Sequence, residues 1–401
     1  MKSWIKKALY VLTVIVAVSL LSVKLYEMLH RESGYYQIEP PTQYLGELKD
    51  ARIRLTYYLD GSSNEIKRTQ SEIQKAYTDI LLSVTRQLDA ETVYEGMHNI
   101  ASLNASNGEL LRVSPELYFI LKDAYDKQGK HYCLFSGALW SEWQKLLYLE
   151  DPTFFDPANN PDTLNRLNRI AKAQDIGTLT FVDDAACTIS LRISEDYRAF
   201  LTEYDITAPI LHLGRLHDAY LIQWVADALT EKGLTKGYLT TVDGLVIALE
   251  DAGTQTFNLL APSGNVPIAS VRANAPHSLG CFYAFAPALQ NYGRYTLEQD
   301  DKTLYRHAFY SESDGLPRNV FLSLSLVSNT LSMPELMDIV IQAVSTDTVE
   351  EVGALLSGKP FSAYFTLQND GETLYVLSSA EELTLLDPDY RVERVGMLKI
   401  E

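Results

Sequence analysis

The chain has 401 residues, 46% hydrophobic and 21% charged, an ordinary globular balance that supplies enough apolar side chain for one large domain or two modest ones. Its 52 acidic residues outweigh 34 Lys and Arg for a formal net charge of −18, which leaves no basic track for a phosphodiester backbone and sets nucleic acid aside as a partner. The three cysteines, Cys133, Cys187 and Cys281, form no CxxC, so neither a zinc knuckle nor a disulfide framework is indicated.

The N-terminus reads as a membrane segment. Residues 1–7, "MKSWIKK", are basic, and "ALYVLTVIVAVSLLSV" from Ala8 to Val23 carries no charge. At ~1.5 Å per residue that run covers about 24 Å, just short of the ~30 Å hydrocarbon slab. Two readings follow: a signal-peptide h-region, or a short signal anchor over 8–24 whose Lys7 and Lys24 snorkel to the interfaces. The poor small-residue cleavage pattern favours the uncleaved anchor. Lys2, Lys6 and Lys7 keep residues 1–7 in the cytoplasm, placing the rest of the chain outside the cell membrane as a single-pass protein. Residues 25–48, with "EPPTQ", read as a tether, and the extracytoplasmic domain as 49–401.

Within that domain "ARIRLTYYL" alternates as a strand, and Ile66, Ile73, Tyr77, Ile80, Leu81, Val84 and Leu88 recur as a helix face. "VSPELYFILKDAYDKQG" has Ser114 as N-cap, Pro115 at the first helical position and Gly129 as a stop. A loop over Tyr148–Pro161 leads to a short helix at Leu164–Ala173, and "TLTFVDDAACTISLRI" reads as strand, Asp-Asp turn, strand. "ILHLGRLHDAYLIQWVADALTEKG" reads as a strand turning on Gly214 into an amphipathic helix that ends at Gly233. "GYLTTVDGLVIALE" is a strand interrupted at Asp243-Gly244, with several short strands from there to Arg306. "NVFLSLSLVS" alternates strictly as a half-buried strand. Ser332 and Glu335 are spaced as a capping box, and a helix at Val349–Leu356 and a hairpin turning on Asn369-Asp370-Gly371 close the domain. The mixture of helices and mostly antiparallel strands is α+β.

The order of motifs resembles that of the ApbE-like flavin transferases. "IASLNASNGELLRVSPELYFILKDAYD" is similar to their N-terminal signature, and "ILHLGRLHDAYLIQWVADALTEKGLTKGYLTTVDG" to their central Leu-Gly-Gly-Ile-Ala-Lys-Gly-Tyr helix followed by Gly-Gly-Asp. "PALQNYGRY" stands for Ala-Thr-Ser-Gly-Asp-Tyr-x-Arg-Tyr, and "RHAFYSESDGLP" for His-Ile-Ile-Asp-Pro-x-Thr-Gly-x-Pro. The resemblance covers residues ~45 to ~380 by order and spacing. It implies the ApbE-like flavin transferase fold, mixed mostly antiparallel sheets with packed helices, preceded in this chain by the N-terminal segment read above as a transmembrane helix. It also implies transfer of FMN from FAD to a Thr or Ser of a partner flavoprotein, with FAD and Mg²⁺ as cofactors. Such chemistry needs glycine backbone at a helix N-terminus to cradle two phosphates, a Lys to balance them and an oxygen-ligated Mg²⁺.

Carried over residue by residue, the resemblance leaves a damaged site. Gly214 matches the first glycine, but Arg215 occupies the second, where a side chain obstructs close backbone approach. The family's Lys falls on Asp218 and its next Gly on Ala219. A like charge ~4 Å from a phosphate costs about 4 kcal/mol at an effective dielectric of ~20. The Gly-Gly-Asp turn becomes Val242-Asp243-Gly244, the Thr-Ser-Gly nest becomes Ala288, Leu289 and Gln290, and Phe135-Ser136 replaces Phe-Asp. The metal-ligating Asp and Thr fall on Glu335 and Ile339. Glu335 is the one metal candidate, with capping as its competing role. His307 matches the family's His and is the catalytic candidate, with Tyr310 where an acid is expected.

The cofactor-binding candidates are therefore Gly214, Arg215, His217, Asp243, Gly244 and Tyr292. Arg215 with His217 suits an anion pocket at the helix mouth. His212, His217 and Asp218 make a poor metal cluster, because adjacent helical residues point ~100° apart. Three functions remain open: a binding or scaffolding relative in an envelope flavoprotein or redox assembly, a divergent active transferase, and an anion or nucleotide sensor.

Overall fold

The computed structural model describes residues 10, 12–13, 16, 18–21, 32–48, 51–173, 176–261, 266–284, 293–299, 302–377 and 381–395, with the side chains of 127–136 excepted. Most of the anchor segment 8–24 lies outside them, and no helix among the described residues is long and apolar enough to cross a membrane.

β1 (Gly34–Ile38) pairs antiparallel with β2 (Ile53–Leu59), Ile38 opposite Leu55. Part of the stretch read as a tether is thus an edge strand, and ordered structure starts ahead of Asp50. Tyr36 and Ile38 alternate inward, and burying Ile38 outweighs the turn-forming prolines that follow it. The Ser63–Leu88 helix starts at a Ser62/Glu65 capping box and buries all seven residues of its apolar repeat. The next helix, Ile100–Ala105, and β3 (Leu110–Arg112) lead into the Pro115–Leu147 helix. Ser114 caps that helix as expected, its Oγ accepting from Leu117 N at 3.1 Å. It does not stop at Gly129. A glycine inside a helix costs only about 1 kcal/mol, and buried Ala138, Leu139, Trp143, Leu146 and Leu147 beyond it more than offset that.

After the Pro161–Ala171 helix, β4 (Gly177–Asp183) and β5 (Thr188–Ile193) form the expected hairpin, which joins β3 in a three-stranded sheet ordered β3-β5-β4. The Glu195–Glu203 helix follows, then the His217–Glu231 helix, ended by Gly233 at φ 73°. β6 (Gly237–Thr241) and β7 (Val246–Ala248) turn on Asp243-Gly244. β8 (Thr254–Leu260), β9 (Pro267–Asn274), β10 (His277–Tyr283), β11 (Arg294–Gln299) and β12 (Lys302–His307) supply the short strands. β13 (Phe321–Ser328), the Met333–Val344 and Val349–Leu356 helices, β14 (Ser362–Leu367), β15 (Asp370–Leu377), β16 (Glu382–Leu385) and β17 (Arg391–Val395) complete the described chain.

A nine-stranded sheet, β1-β2-β6-β7-β10-β13-β14-β15-β17, organises the fold, antiparallel except for β15 with β17. Helices cover one face. A second sheet, β16-β9-β8, covers part of the other and traps a separate core of Leu259, Ile268, Val271, Leu279, Val327, Leu374 and Val376. This second layer corrects the half-buried reading of β13, all eight residues of which are buried. Its serines are satisfied internally: Ser323 Oγ bonds Thr366 Oγ1 at 2.9 Å and Ser328 Oγ donates to Pro360 O at 2.8 Å.

Candidate functional site

The candidate site is built where the His217–Glu231 helix begins. Residues 210–213, read as a strand, pair with no strand among the described residues. Asn104 takes the place of one: its Oδ1 accepts from Leu211 N at 2.8 Å and its Nδ2 donates to Leu211 O at 3.0 Å. The Asn of "IASLNAS" thereby satisfies backbone that a sheet would otherwise satisfy. Close approach to the Pro115–Leu147 helix holds the same segment, since a Cβ on Gly137 would lie 1.8 Å from Pro209 O.

Gly214 then turns the chain at φ 54° into a 3-10 turn, Gly214–Leu216, that feeds the helix. Its N–H donates to His212 Nδ1 at 2.8 Å, so the amide a phosphate would use is already taken. The His212 ring stacks on Trp140 with centroids 5.9 Å apart. Burial and then the neighbouring His217 hold the pKa of His212 down to about 4. Arg215 does not project into open space. Its guanidinium carbon lies 4.8 Å from the ring centre of Trp140 and 4.7 Å from that of Phe309. His217 Nδ1 and Asp218 Oδ1 are 2.9 Å apart. Burial pushes the Asp218 carboxyl up, but the hydrogen bond and charge of His217, with Arg215 and Arg52 behind, hold it below the usual carboxylate range.

Gly214, Arg215, His217 and Asp243 line one cavity of about 550 Å³, so the structure brings these four candidates together. Gly244, next to Asp243, is needed for packing: it sits at φ 93°, and a Cβ there would lie 2.9 Å from Cys281 Sγ. Cys281 donates to Asp243 O at 3.2 Å, and burial, then Asp243, pushes its thiol up to about 12. It is therefore a protonated, packed thiol at neutral pH. Cys187 is also free and buried, while the Cys133 side chain lies outside the described residues.

His307 and Glu335 do not line that cavity. Tyr292 lies outside the described residues, as do Ala288, Leu289 and Gln290. His307 is fully buried at the end of β12. Its Nε2 lies 3.2 Å from Arg318 O, and its Nδ1 accepts from Phe309 N at 3.2 Å. Burial, then the charges of Arg294 and Arg215, hold its pKa down to about 3, and its ring meets Phe282 edge-on at 4.9 Å. Both nitrogens are engaged by backbone, which suits a structural histidine better than a proton carrier. Glu335 caps its own helix, its Oε2 accepting from Ser332 N at 2.8 Å and Ser332 Oγ at 2.7 Å. Ile339, one turn further on, packs against the core.

Arg294, Arg52, Trp140, Tyr148 and Phe309 line the cavity without having been singled out from sequence. Arg294 was the most discoverable: it is the arginine of "GRY", inside a quoted motif. It is 3% exposed, and its Nε donates to Tyr283 O at 2.7 Å. Arg52 holds a left-handed backbone at φ 44°, rare for a non-glycine, and bonds to Tyr148 through its side chain.

These residues do not fit FAD with Mg²⁺ as the sequence resemblance implies them. The amide of Gly214 is occupied, Trp140 and Phe309 are covered by Arg215, Asp218 is paired with His217, and Glu335 is committed to a cap. Among the described residues no three His, Cys, Asp or Glu side chains are grouped to hold a metal ion.

No family model matches the sequence, and no curated protein matches it. Solved structures do. The ApbE protein of Thermotoga maritima superposes with a TM-score of 0.55 at 12% identity, covering 84% of this chain and 96% of its own. The flavin transferase ApbE of Vibrio cholerae, a mutant form, superposes with a TM-score of 0.51 at 16% identity, covering 88% of this chain and 97% of its own. At such identities the likeness is one of fold. The chain has an ApbE-like fold, with the helix mouth at Gly214 opening on a cleft furnished by its own set of residues.

Proposed function

We propose that the protein is a membrane-anchored, extracytoplasmic binding protein of ApbE-like fold that does not transfer FMN and that serves an envelope flavoprotein or redox assembly. One observation carries the reading: Gly214 N–H is bound by His212 Nδ1, and the position of the family's Lys is Asp218, paired with His217. A pyrophosphate placed there would meet a blocked amide and a carboxylate where it requires a donor and a cation. Arg215 does not substitute for the missing Lys, since swinging it out of the Trp140–Phe309 sandwich forfeits two cation–π contacts of about 0.5–2 kcal/mol each. The anchor reading rests on the lysines before the charge-free run at Ala8–Val23.

The test uses the purified full chain incubated with FAD, Mg²⁺ and a Thr-containing acceptor peptide. The expected outcome is no FMN on the peptide by mass spectrometry. Covalent FMN on the acceptor overturns the reading.

A further inference from the structure

The end of the Pro115–Leu147 helix divides two clefts. Trp140, Gln144, Leu147 and Tyr148 line the cavity at Gly214, whereas Glu142, Lys145, Leu146 and Leu149 line a second, open groove of about 1300 Å³. No residue lines both. The walls of the groove are the Pro161–Ala171 and Glu195–Glu203 helices. The first contributes Arg166 and Arg169, with Lys172 just beyond its end, and the second contributes Tyr197 and Phe200, with Tyr204 just beyond.

On a chain of net charge −18 this groove is locally basic. Lys145 Nζ and Arg166 Nη1 donate to opposite oxygens of Glu142, at 2.6 and 3.2 Å, which leaves that trio one positive charge over. Arg169 lies 3.9 Å from Glu203 Oε1, beyond hydrogen-bond reach, with its side chain 54% exposed, and Lys172 is exposed as well. Asp162 and Asp196, the acids that line the groove besides Glu142, stand in the first turns of their helices, where the positive helix ends take up their charge. The guanidiniums rest on aromatic rings: the central carbon of Arg166 is 5.6 Å from the ring centre of Tyr204, and that of Arg169 is 4.8 Å from the same ring and 5.7 Å from Phe200. A guanidinium seated on ring faces keeps its in-plane N–H groups for a carboxylate.

Beside the cations lies an exposed apolar rim. Leu149 and Phe155 line the groove at 43% and 47% exposure, and Phe154, more exposed still, meets Phe155 edge-on with ring centres 5.1 Å apart. The next residue, Asp156, is clamped by Arg306 and Tyr295, so the two phenylalanines are presented on a fixed loop and little freedom is lost when a partner covers them. Exposed aromatics beside arginines make up the composition of a protein-docking surface. Arginine clusters recognise acidic motifs, and a concave groove admits a chain segment where a flat lipid surface cannot follow.

We propose that this groove docks an acidic, aromatic-bearing segment of a partner protein, its carboxylates on Arg169 and Lys172 and its apolar side chains on Phe155 and Leu149. The proposal goes beyond the reading of the Gly214 cleft and stands on different residues.

The probe is a fluorescent random copolymer of Glu and Tyr, into which the full chain is titrated while anisotropy is followed, with polyglutamate as the control that lacks aromatic rings. The copolymer is expected to bind in spite of the chain's own negative charge, at least about tenfold tighter than polyglutamate, and more weakly as salt is added. Arg169→Glu, Lys172→Glu and Phe155→Ser are each expected to weaken it about tenfold or more. Arg68→Glu makes the same change in net charge at an exposed position that does not line the groove, and is expected to alter affinity by less than about twofold. Should Arg169→Glu fail to fold, Lys172→Glu decides, with circular dichroism confirming its fold. Absence of copolymer binding, polyglutamate binding as tightly, or a loss no greater in folded Lys172→Glu than in Arg68→Glu overturns the proposal. FMN transfer, if found, overturns the binding-protein reading and leaves the groove's assignment standing.

Discussion

Asp156 and Arg306 form a bidentate ion pair sealed from solvent, Nε to Oδ2 at 2.8 Å and Nη2 to Oδ1 at 3.1 Å, with side chains 0% and 7% exposed. Tyr295 OH donates to the same Oδ2 at 2.7 Å, so one carboxylate ties the 151–160 loop to both β11 and β12. Burial pushes the Asp156 carboxyl up, but Arg306 and Tyr295 prevail and hold it below its usual range. Removing one partner strands the other charge. Asp156→Ala is therefore expected to lower stability by about 3–5 kcal/mol, read by urea unfolding, and Asp156→Asn by less. A loss under ~1 kcal/mol in the alanine variant would show that the pair is not closed in solution.

Gly137 is where the long helix touches the segment that leads to Gly214. A methyl there would sit 1.8 Å from Pro209 O, a backbone atom that cannot rotate away. Gly137→Ala gains helix propensity of about 1 kcal/mol, yet the clash outweighs it. We expect a net loss of at least ~1–3 kcal/mol together with a change in Trp140 fluorescence, because displacing 209–213 shifts His212 off the indole. A stabilised variant would refute the close approach.

Acid should weaken the fold well before its carboxylates protonate. His307 and His212 have folded pKa values held down to about 3 and about 4, against ~6.5 in an unfolded chain. A depressed histidine contributes stability that is fully present above the unfolded value and is lost as pH falls below it, because the unfolded chain takes up the proton first. Stability is thus expected to fall between pH ~6.5 and ~4 by up to about 1.4 kcal/mol per pH unit for each histidine. His307→Gln should flatten that slope, whatever its own cost at pH 8. An unchanged slope in that variant would remove His307 as a source.

Glu335 separates capping from metal binding. With its carboxylate on Ser332 N and Oγ, Glu335→Ala should cost about 1 kcal/mol and leave any Mg²⁺ response of thermal unfolding unaltered. A Mg²⁺-dependent stabilisation that disappears in this variant would return the residue to the role of ligand.

Much of the architecture was legible because it is local. Ser114 with Pro115, Ser332 with Glu335, the seven-residue face ending at Leu88 and the Asp243-Gly244 turn depend on neighbours a few positions apart, and each lies where its pattern puts it. The misplacements share a different cause. Gly129 does not end its helix because core side chains beyond it pay back the glycine, and 210–213 is no strand because Asn104, 107 positions away, takes its backbone bonds. Strand β13 reads as half-buried because alternation cannot reveal that a second sheet, β16-β9-β8, lies over its serine-bearing face.

By itself the sequence determined the α+β class, the helix caps and the order of motifs, since propensity, periodicity and capping act over a few residues. Only the tertiary structure decided the chemistry of the cleft. It turned His307 inward, laid Arg215 between Trp140 and Phe309, and buried Arg294 with its Nη1 unpaired among the described residues. Those outcomes depend on burial and on partners scores of residues apart, where the cost of desolvating a charge is settled by whichever side chains the fold happens to bring near.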